Sequence, residues 1–431
     1  MRRILKQPLT QPKVKHQVLN KMSILDTIRK QINPKQGPKN FSFRSLVYSP
    51  TETPKVVEKP NCAYVWWGEH NLYPYQLFDL KYGSPIHNSI LKTKSKMMAG
   101  DGLLYNGAET KEESDNIYNS FQGAQKAEVD HILNNKYGGH RLEELQDLLS
   151  QDYQDYGAYC FKRIYNNDFT KIAAYKYVKV DNIRPGKMED GKVKVYWYHE
   201  DWTKHKRADF KPTPIYAYDE NDKEHTEQLV YRKIGNMDYF GIPSYSGALT
   251  WIHTDVQMGI FHKSNIENGM NPGLHFKFYR KPASIEEEDR IIFNLDREYK
   301  SAVNTGKRII SFNDGKEDAM EISPVEISNL DKQLLLLAEL CDQKILTGHQ
   351  LTTPILAGIT SKGFSSGGAE LLVGYQIFDG VAMASDRKVL NRDIQDWFTF
   401  NKTGVDIEIN KFKPFEDMPK QQPQFTIQQN G

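Results

Sequence analysis

Cysteine is scarce in this chain: Cys62, Cys160 and Cys341 are the three among 431 residues, with no CxxC pair and no even set at short spacing. That pattern excludes a disulfide framework and a cysteine-built structural zinc site, and fits buried thiols in a reducing compartment. An excess of charge is lacking too, since 57 Lys and Arg face 55 Asp and Glu for a net charge of +2. A protein that grips DNA through many phosphates carries a clear basic surplus, so this balance argues against a tight DNA binder. No apolar run approaches the roughly 20 residues needed to span a bilayer. The basic N-terminus has no apolar core of a secretory signal, so a cytoplasmic product with no membrane partner is expected.

Catalytic signatures are missing as well. There is no GxSxG, no HExxH and no recognisable Cys/His pair. His253 and His262 lie nine residues apart, which matches neither spacing that puts two ligands on one helix face. His70 and His87 have no Cys, Asp or Glu pattern of a metal site beside them. The acidic run Glu286–Asp289 is accounted for by its place at a helix N-terminus, where negative side chains complement the dipole. Gly358-Ile-Thr-Ser-Lys-Gly363-Phe-Ser365 has the paired glycines of a phosphate loop, but Phe364 stands where the lysine must be and a helix precedes it. No cofactor, metal or catalytic residue is expected.

What is present is a plan of elements. Residues 1–60 form a basic arm rich in Gln and Pro, without an acidic residue before Asp26. A mixed α+β region follows from Asn61. Ala63–Trp67 reads as a strand and Asn71–Tyr75 as a turn. Ser84-Pro85 opens a helix that ends at Gly100-Asp101-Gly102. A second helix runs from Arg141 to about Tyr156, and Ala158–Tyr165, Ala173–Val180, Lys192–Tyr198 and Gln228–Lys233 read as strands rich in Tyr and Val. Interleaved with Lys and Arg, the aromatics of 153–202 fit a packed sheet better than a stacking surface for single strands.

After Gly241-Ile-Pro-Ser244 a long helix is predicted from Tyr245 to about Asn268. A small unit comes next, with strand Gly273–Tyr279, a helix opened by the Ser284–Glu287 capping box, and strand Lys307–Phe312. A helix from Val325 to Thr347 carries Leu334, Leu335, Leu336 and Leu337, enough for two apolar faces, so it is expected to be covered on more than one side. The Gly/Ser stretch Gly358–Gly368 precedes a third long helix, Ala369 to about Phe398, and Val405–Ile409 reads as a last strand.

This order resembles the portal proteins of tailed double-stranded DNA phages over roughly Asn61–Phe400. Ser84–Gly102 (SPIHNSILKTKSKMMAGDG) looks like that family's early wing helix, and Tyr239–Gly273 looks like the segment that starts the first stem helix and enters the clip. The resemblance implies an α+β portal-type subunit with a wing at 61–243 and a first stem helix at 244–268, while the arm at 1–60 matches no part of that plan. A clip at 269–324, a second stem helix at 325–350 and a tunnel loop at 351–368 come next. A long wing or tunnel helix spans 369–400, and 401–431 makes a short crown or tail.

In that plan Leu334–Leu337 meet a neighbouring subunit, and Ser361, Lys362, Gly363 and Ser365 line a DNA channel. The resemblance further implies a ring of twelve subunits at one capsid vertex, passing double-stranded DNA during packaging and ejection without hydrolysing anything. Its partners are the terminase large subunit, the major capsid or scaffolding protein, and a head-completion or tail adaptor. The expected location is the virion, reached from the host cytoplasm during assembly. Two other classes stay open at this point. A nucleotidyltransferase-like DNA-processing enzyme would need clustered carboxylates, for which Asp152, Asp155 and Asp181 make an unconvincing set. Another head-tail structural protein is the other, although adaptors are usually much shorter.

Overall fold

The computed structural model describes residues 56–235, 238–267, 274–278, 282–299, 308–312, 320–324, 330–351, 353–357 and 369–413. The chain is α+β, as the sequence predicts. It opens on β1 (Val56–Val57) and β2 (Trp66–Trp67), paired antiparallel. Only the last two residues of the predicted strand 63–67 are ladder-bonded, with Tyr64 making a single bridge to Gly186.

Two helices follow, α1 (Tyr73–Gly83) and α2 (Pro85–Ala99). Ser84 separates them and caps the second: its Oγ accepts from the His87 backbone N–H, and Pro85 takes the first helical position. Gly100 ends α2 at φ 76°, where a Cβ would sit 2.3 Å from the Asn410 carbonyl oxygen, so a side chain there would drive the two segments apart. The chain then forms β3 (Leu103–Tyr105), α3 (Lys111–Ser120) and α4 (Gly123–Asn134). Next, α5 (Leu142–Tyr156) buries Leu142, Leu145, Leu149, Tyr153 and Tyr156, a spacing that lines one helix face.

Strands come next: β4 (Ala158–Tyr165), β5 (Ile172–Val178), β6 (Ile183–Pro185), β7 (Met188–Glu189), β8 (Lys192–Val193), β9 (Val195–Tyr198), β10 (Thr213–Tyr216) and β11 (Glu227–Lys233). In space β4 is the centre of an antiparallel sheet ordered β11-β4-β5, and β9 is the centre of a second, β10-β9-β6. The predicted strand 192–198 is thus two, one in the β7–β8 hairpin and one in the β9 sheet. Asp190 and Gly191, both at positive φ, make the tight hairpin turn.

A 3-10 turn at Ser246–Ala248 leads into α6 (Leu249–Glu267), so this helix starts later than the predicted Tyr245. A small unit follows: β12 (Leu274–Phe278), α7 (Ile285–Tyr299), β13 (Arg308–Phe312) and β14 (Met320–Pro324). Strand β12 is central, parallel to β13 and antiparallel to β14. A parallel pair needs a long crossover, and α7 lies between the two strands to supply it. The return helix α8 is described over Leu330–Gly348, and residues 325–329, where the predicted helix starts, lie outside the described ones. The predicted helix 369–398 is two helices, α9 (Ala369–Phe378) and α10 (Ala384–Phe400), separated by a π turn at Asp379–Met383. Within that turn buried Asp379 takes an ion pair from Arg387, whose guanidinium also donates to the Met97 carbonyl.

The chain closes on β15 (Ile407–Ile409), antiparallel to β3. Residues assigned to a crown or tail by the resemblance therefore include a strand of the main body, and Val405, Ile407 and Ile409 are buried there. Two apolar clusters hold this body. One joins α1, α2 and the first turns of α6 through Leu77, Ile90, Leu91, Leu249 and Ile252. The other joins α4, α5, β4, β5 and α10 through Ile132, Leu145, Phe161, Tyr175 and Trp397.

Candidate functional site: the helical hairpin and its root

Helices α6 and α8 run antiparallel away from the body. Their register is set at the base, where a Cβ on Gly348 would fall 2.3 Å from the Ala248 Cβ. One helical span further out, Asp255 lies within electrostatic reach of Cys341.

The two halves of the hairpin differ. Near the body Ile252, Cys341 and Ile345 are fully buried. Further out Ile260, Phe261 and Ile266 on α6, and Leu335, Leu336 and Leu340 on α8, stand in the open, with Leu335 and Leu336 at 62% and 65% exposure. Of the four leucines expected at a subunit contact, Leu335 and Leu336 point outward, whereas Leu334 and Leu337 are partly covered. The channel residues Ser361, Lys362, Gly363 and Ser365 lie outside the described residues. The described segment before them is fastened to α2, since Ser89 Oγ donates to the Ala357 carbonyl at 2.9 Å and Thr93 Oγ1 to that of Leu356 at 3.3 Å.

Polar contacts to α2 and the residues flanking it hold the root. Ser84 Oγ donates to Asp255 Oδ2 of α6 at 2.5 Å, and Lys94 Nζ donates to Ser244 Oγ at 2.8 Å. His87 Nδ1 lies 2.8 Å from Nε2 of His349, the residue that follows α8. Tyr245 packs against both imidazoles, with centroids 4.5 and 5.2 Å away, and its hydroxyl donates to the Asp155 carbonyl. Lys81 Nζ reaches Asp155 Oδ2 at 2.5 Å with both side chains buried. No local pattern signals this knot: His87 and His349 are separated by 262 residues.

Of the three carboxylates set aside by sequence, Asp152 comes into electrostatic range of both Asp155 and Asp181. Each is already committed within the fold. Asp152 Oδ2 accepts from the Tyr177 hydroxyl and the Val180 N–H, both at 3.0 Å, while Asp155 takes Lys81 and Asp181 takes Lys179 at 2.6 Å. Burial, with lesser contributions from Asp155 and Asp181, pushes Asp152 up to about 8, the state of a protonated structural acid. Among the described residues no group of three or more His, Cys, Asp or Glu is placed to hold a metal ion. A groove of about 710 Å³ lies beside the β7–β8 hairpin, β9 and β11, lined by Met188, Val193, Tyr196, Tyr231 and Lys233 among others. Among the described residues its lining contains no His or Cys. Likewise, no described helix is long and apolar enough to cross a membrane.

The arrangement, an α+β body with a protruding two-helix arm that ends in a small sheet, recurs in solved structures. A chain from the neck of an empty gene transfer agent particle, computed with C6 symmetry, aligns at a TM-score of 0.50 and 15% identity, covering 80% of this chain and 85% of its own. A chain from the neck of a native gene transfer agent particle, computed with C12 symmetry, aligns at 0.50 and 14% identity, covering 86% and 88%. The fold is shared with these two chains. It agrees with the resemblance to portal proteins, and at such identity the likeness is one of fold. No protein-family model matches the chain, and no curated protein does. Within this fold the outer half of the hairpin leaves its apolar residues uncovered.

Proposed function

We propose that this chain is a portal subunit, whose copies close side by side into a ring at the neck of a phage-like particle. The observation that carries the reading is the apolar belt on the outer half of the hairpin, the exposed Ile260 and Phe261 on α6 and Leu335 and Leu336 on α8. Single exposed apolar residues are ordinary, but several on both helices of one arm mark an interaction surface. A head-to-tail contact between such arms generates a ring when the rotation closes. C12 symmetry in one similar neck supports twelve copies. Each hairpin helix has 19 residues, about 28 Å at 1.5 Å per residue, and gives the ring a tubular stem. The clip is then the β12–β14 unit and the wing is the body.

In this reading the protein is a conduit with no chemistry of its own. It passes duplex DNA inward under a terminase and outward later, and in turn meets capsid or scaffolding protein and a head-completion or tail adaptor. Negative-stain images and native mass of the purified protein test it: ring particles with a central hole are expected. A population made of globular monomers at micromolar concentration overturns it.

Lys362 is the only charged residue of the stretch 351–368, which the proposed portal plan assigns to the channel. One screened phosphate contact contributes on the order of 1 kcal/mol or less. Lys362→Glu is therefore expected to leave ring formation intact and to lower the yield or retention of DNA-filled particles. Normal filling by that variant removes Lys362 from any role. Duplex binding by the isolated ring should be weak, without sequence preference, and steeply salt-dependent.

A further inference from the structure

His87 and His349 meet at a point closed to water, each with at most 1% of its surface exposed. One hydrogen bond joins them, and the far nitrogens, His87 Nε2 and His349 Nδ1, have no partner. Whichever tautomer holds, one N–H and one lone pair are left buried and unanswered. No described carboxylate bonds to either imidazole.

The charged neighbours make a second proton worse. Lys81 on α1 and Lys94 on α2 both act on His87, and Lys94 also acts on His349. The acids of the region face other groups: Asp155 on α5 takes Lys81, Asp386 on α10 faces Lys94, and Asp255 on α6 takes the Ser84 hydroxyl. Tyr245 donates away, to the Asp155 carbonyl.

We propose that this histidine pair is a proton-sensitive latch fastening the second hairpin helix to the body. The latch is a property of one chain and does not rest on the ring. Residue 349 lies just past the end of α8, where Gln350 turns at φ 59° and the Leu351 N–H closes on the Leu346 carbonyl at 3.0 Å. Letting His349 go frees that helix end from α2, while the β4 sheet, which shares no side chain with the pair, stays formed.

Burial first, then Lys81 and Lys94, pushes His87 down to about 3, and burial with His87 and Lys94 pushes His349 the same way. In the opened form both imidazoles regain an ordinary value near 6.5. A group depressed in the closed form stabilises it above the open-form value and loses that contribution as pH falls below it. Acid therefore opens the latch from about pH 6.5 downward, by up to tenfold per pH unit for each imidazole. Asp155 and Asp386 act in the opposite sense, because burial raises both and the closed form takes up their protons first. The histidine contribution is thus read as the difference between parent and variant.

The test is hydrogen exchange of the full-length protein between pH 7.5 and 4.5, corrected for intrinsic rates and read on peptides covering residues 341–351. In the parent the local opening constant should climb below pH 6.5 with a slope up to a hundredfold per unit steeper than in His87→Gln/His349→Gln. His140→Gln, at a half-exposed imidazole beside Glu144, should keep the parent profile. Parallel profiles for the parent and the double variant overturn the latch. If the double variant does not fold, either single change serves: it must remove about a tenfold step per pH unit, and an unchanged slope again overturns the proposal.

Discussion

Leu335→Asp and Leu336→Asp should each convert ring particles into monomers or open oligomers. Both side chains are nearly two-thirds exposed in the single chain, so neither change disturbs the packing of α8 on α6, which runs through the buried Cys341 and Ile345. Folded monomers are therefore the expected product, with an unaltered circular dichroism spectrum. A carboxylate enclosed in an apolar contact costs several kcal/mol, roughly, in every interface of the ring. Glu339→Ala is a useful comparison, because Glu339 is exposed on the same helix and adds no charge when removed. Native mass measurement decides the matter. Intact rings from both aspartate variants would place the subunit contact on another surface.

Asp393→Ala should produce the largest loss of stability within one subunit. Asp393 is 1% exposed and accepts from Arg232 Nη2 at 2.6 Å, from Arg232 Nε at 3.0 Å and from the Tyr159 hydroxyl at 2.6 Å. The change leaves a guanidinium and a hydroxyl without their acceptor between α10 and the central sheet. Removing one partner of such a pair costs about 3–5 kcal/mol. A melting temperature lower by several degrees is expected from a domain of this size. Asp393→Asn keeps an acceptor and should lose less, and Tyr159→Phe should lose least. Equal melting of the alanine variant and the parent would mean that the pair contributes nothing net.

Local signals account for the parts of the fold that the sequence foretells. Ser84-Pro85 and Gly100 bracket α2 as capping chemistry requires, and the leucines of 142–149 lie on one face of α5. The strand 158–165 is found as predicted, because Tyr159, Phe161, Ile164 and Tyr165 in one run between turns favour a pleated ladder. Helix α1 was masked by its composition: Tyr73–Gly83 has three tyrosines and a phenylalanine, no capping side chain at Leu72 and no clear apolar stripe. Tertiary burial of Tyr73, Leu77 and Leu80 forms it. Helices α3 and α4 are absent from the predicted elements, although Thr110 and Glu113 make a full capping box that a closer reading could use. The π turn inside 369–398 follows from the Asp379–Arg387 pair and its link to Met97, and no run of residues announces a contact across 290 positions.

The hairpin was legible and its root was not. Periodicity gives two long helices around a small unit. The outward setting of Leu335 and Leu336, against the half-covered Leu334 and Leu337, depends on where α6 lies, which no single helix reveals. The histidine pair and the Ser84–Asp255 contact join segments that only the finished fold brings together.

The pairing of β15 with β3 bears on how the molecule is made. Ile407 pairs with Tyr105, so the edge exposed at Leu103–Tyr105 waits until nearly all the described chain has left the ribosome. Contacts of such long sequence separation form late and slow folding. The two hairpin helices and the β12–β14 unit are synthesised before β15, although the root of the hairpin also draws on α2. A nascent chain thus displays its apolar belt before its body is sealed, at the stage when unpaired edges and open apolar surface favour wrong association. Truncation before residue 407 should leave chains that carry the joining surface and lack a completed body, with the capacity to poison assembly by intact copies.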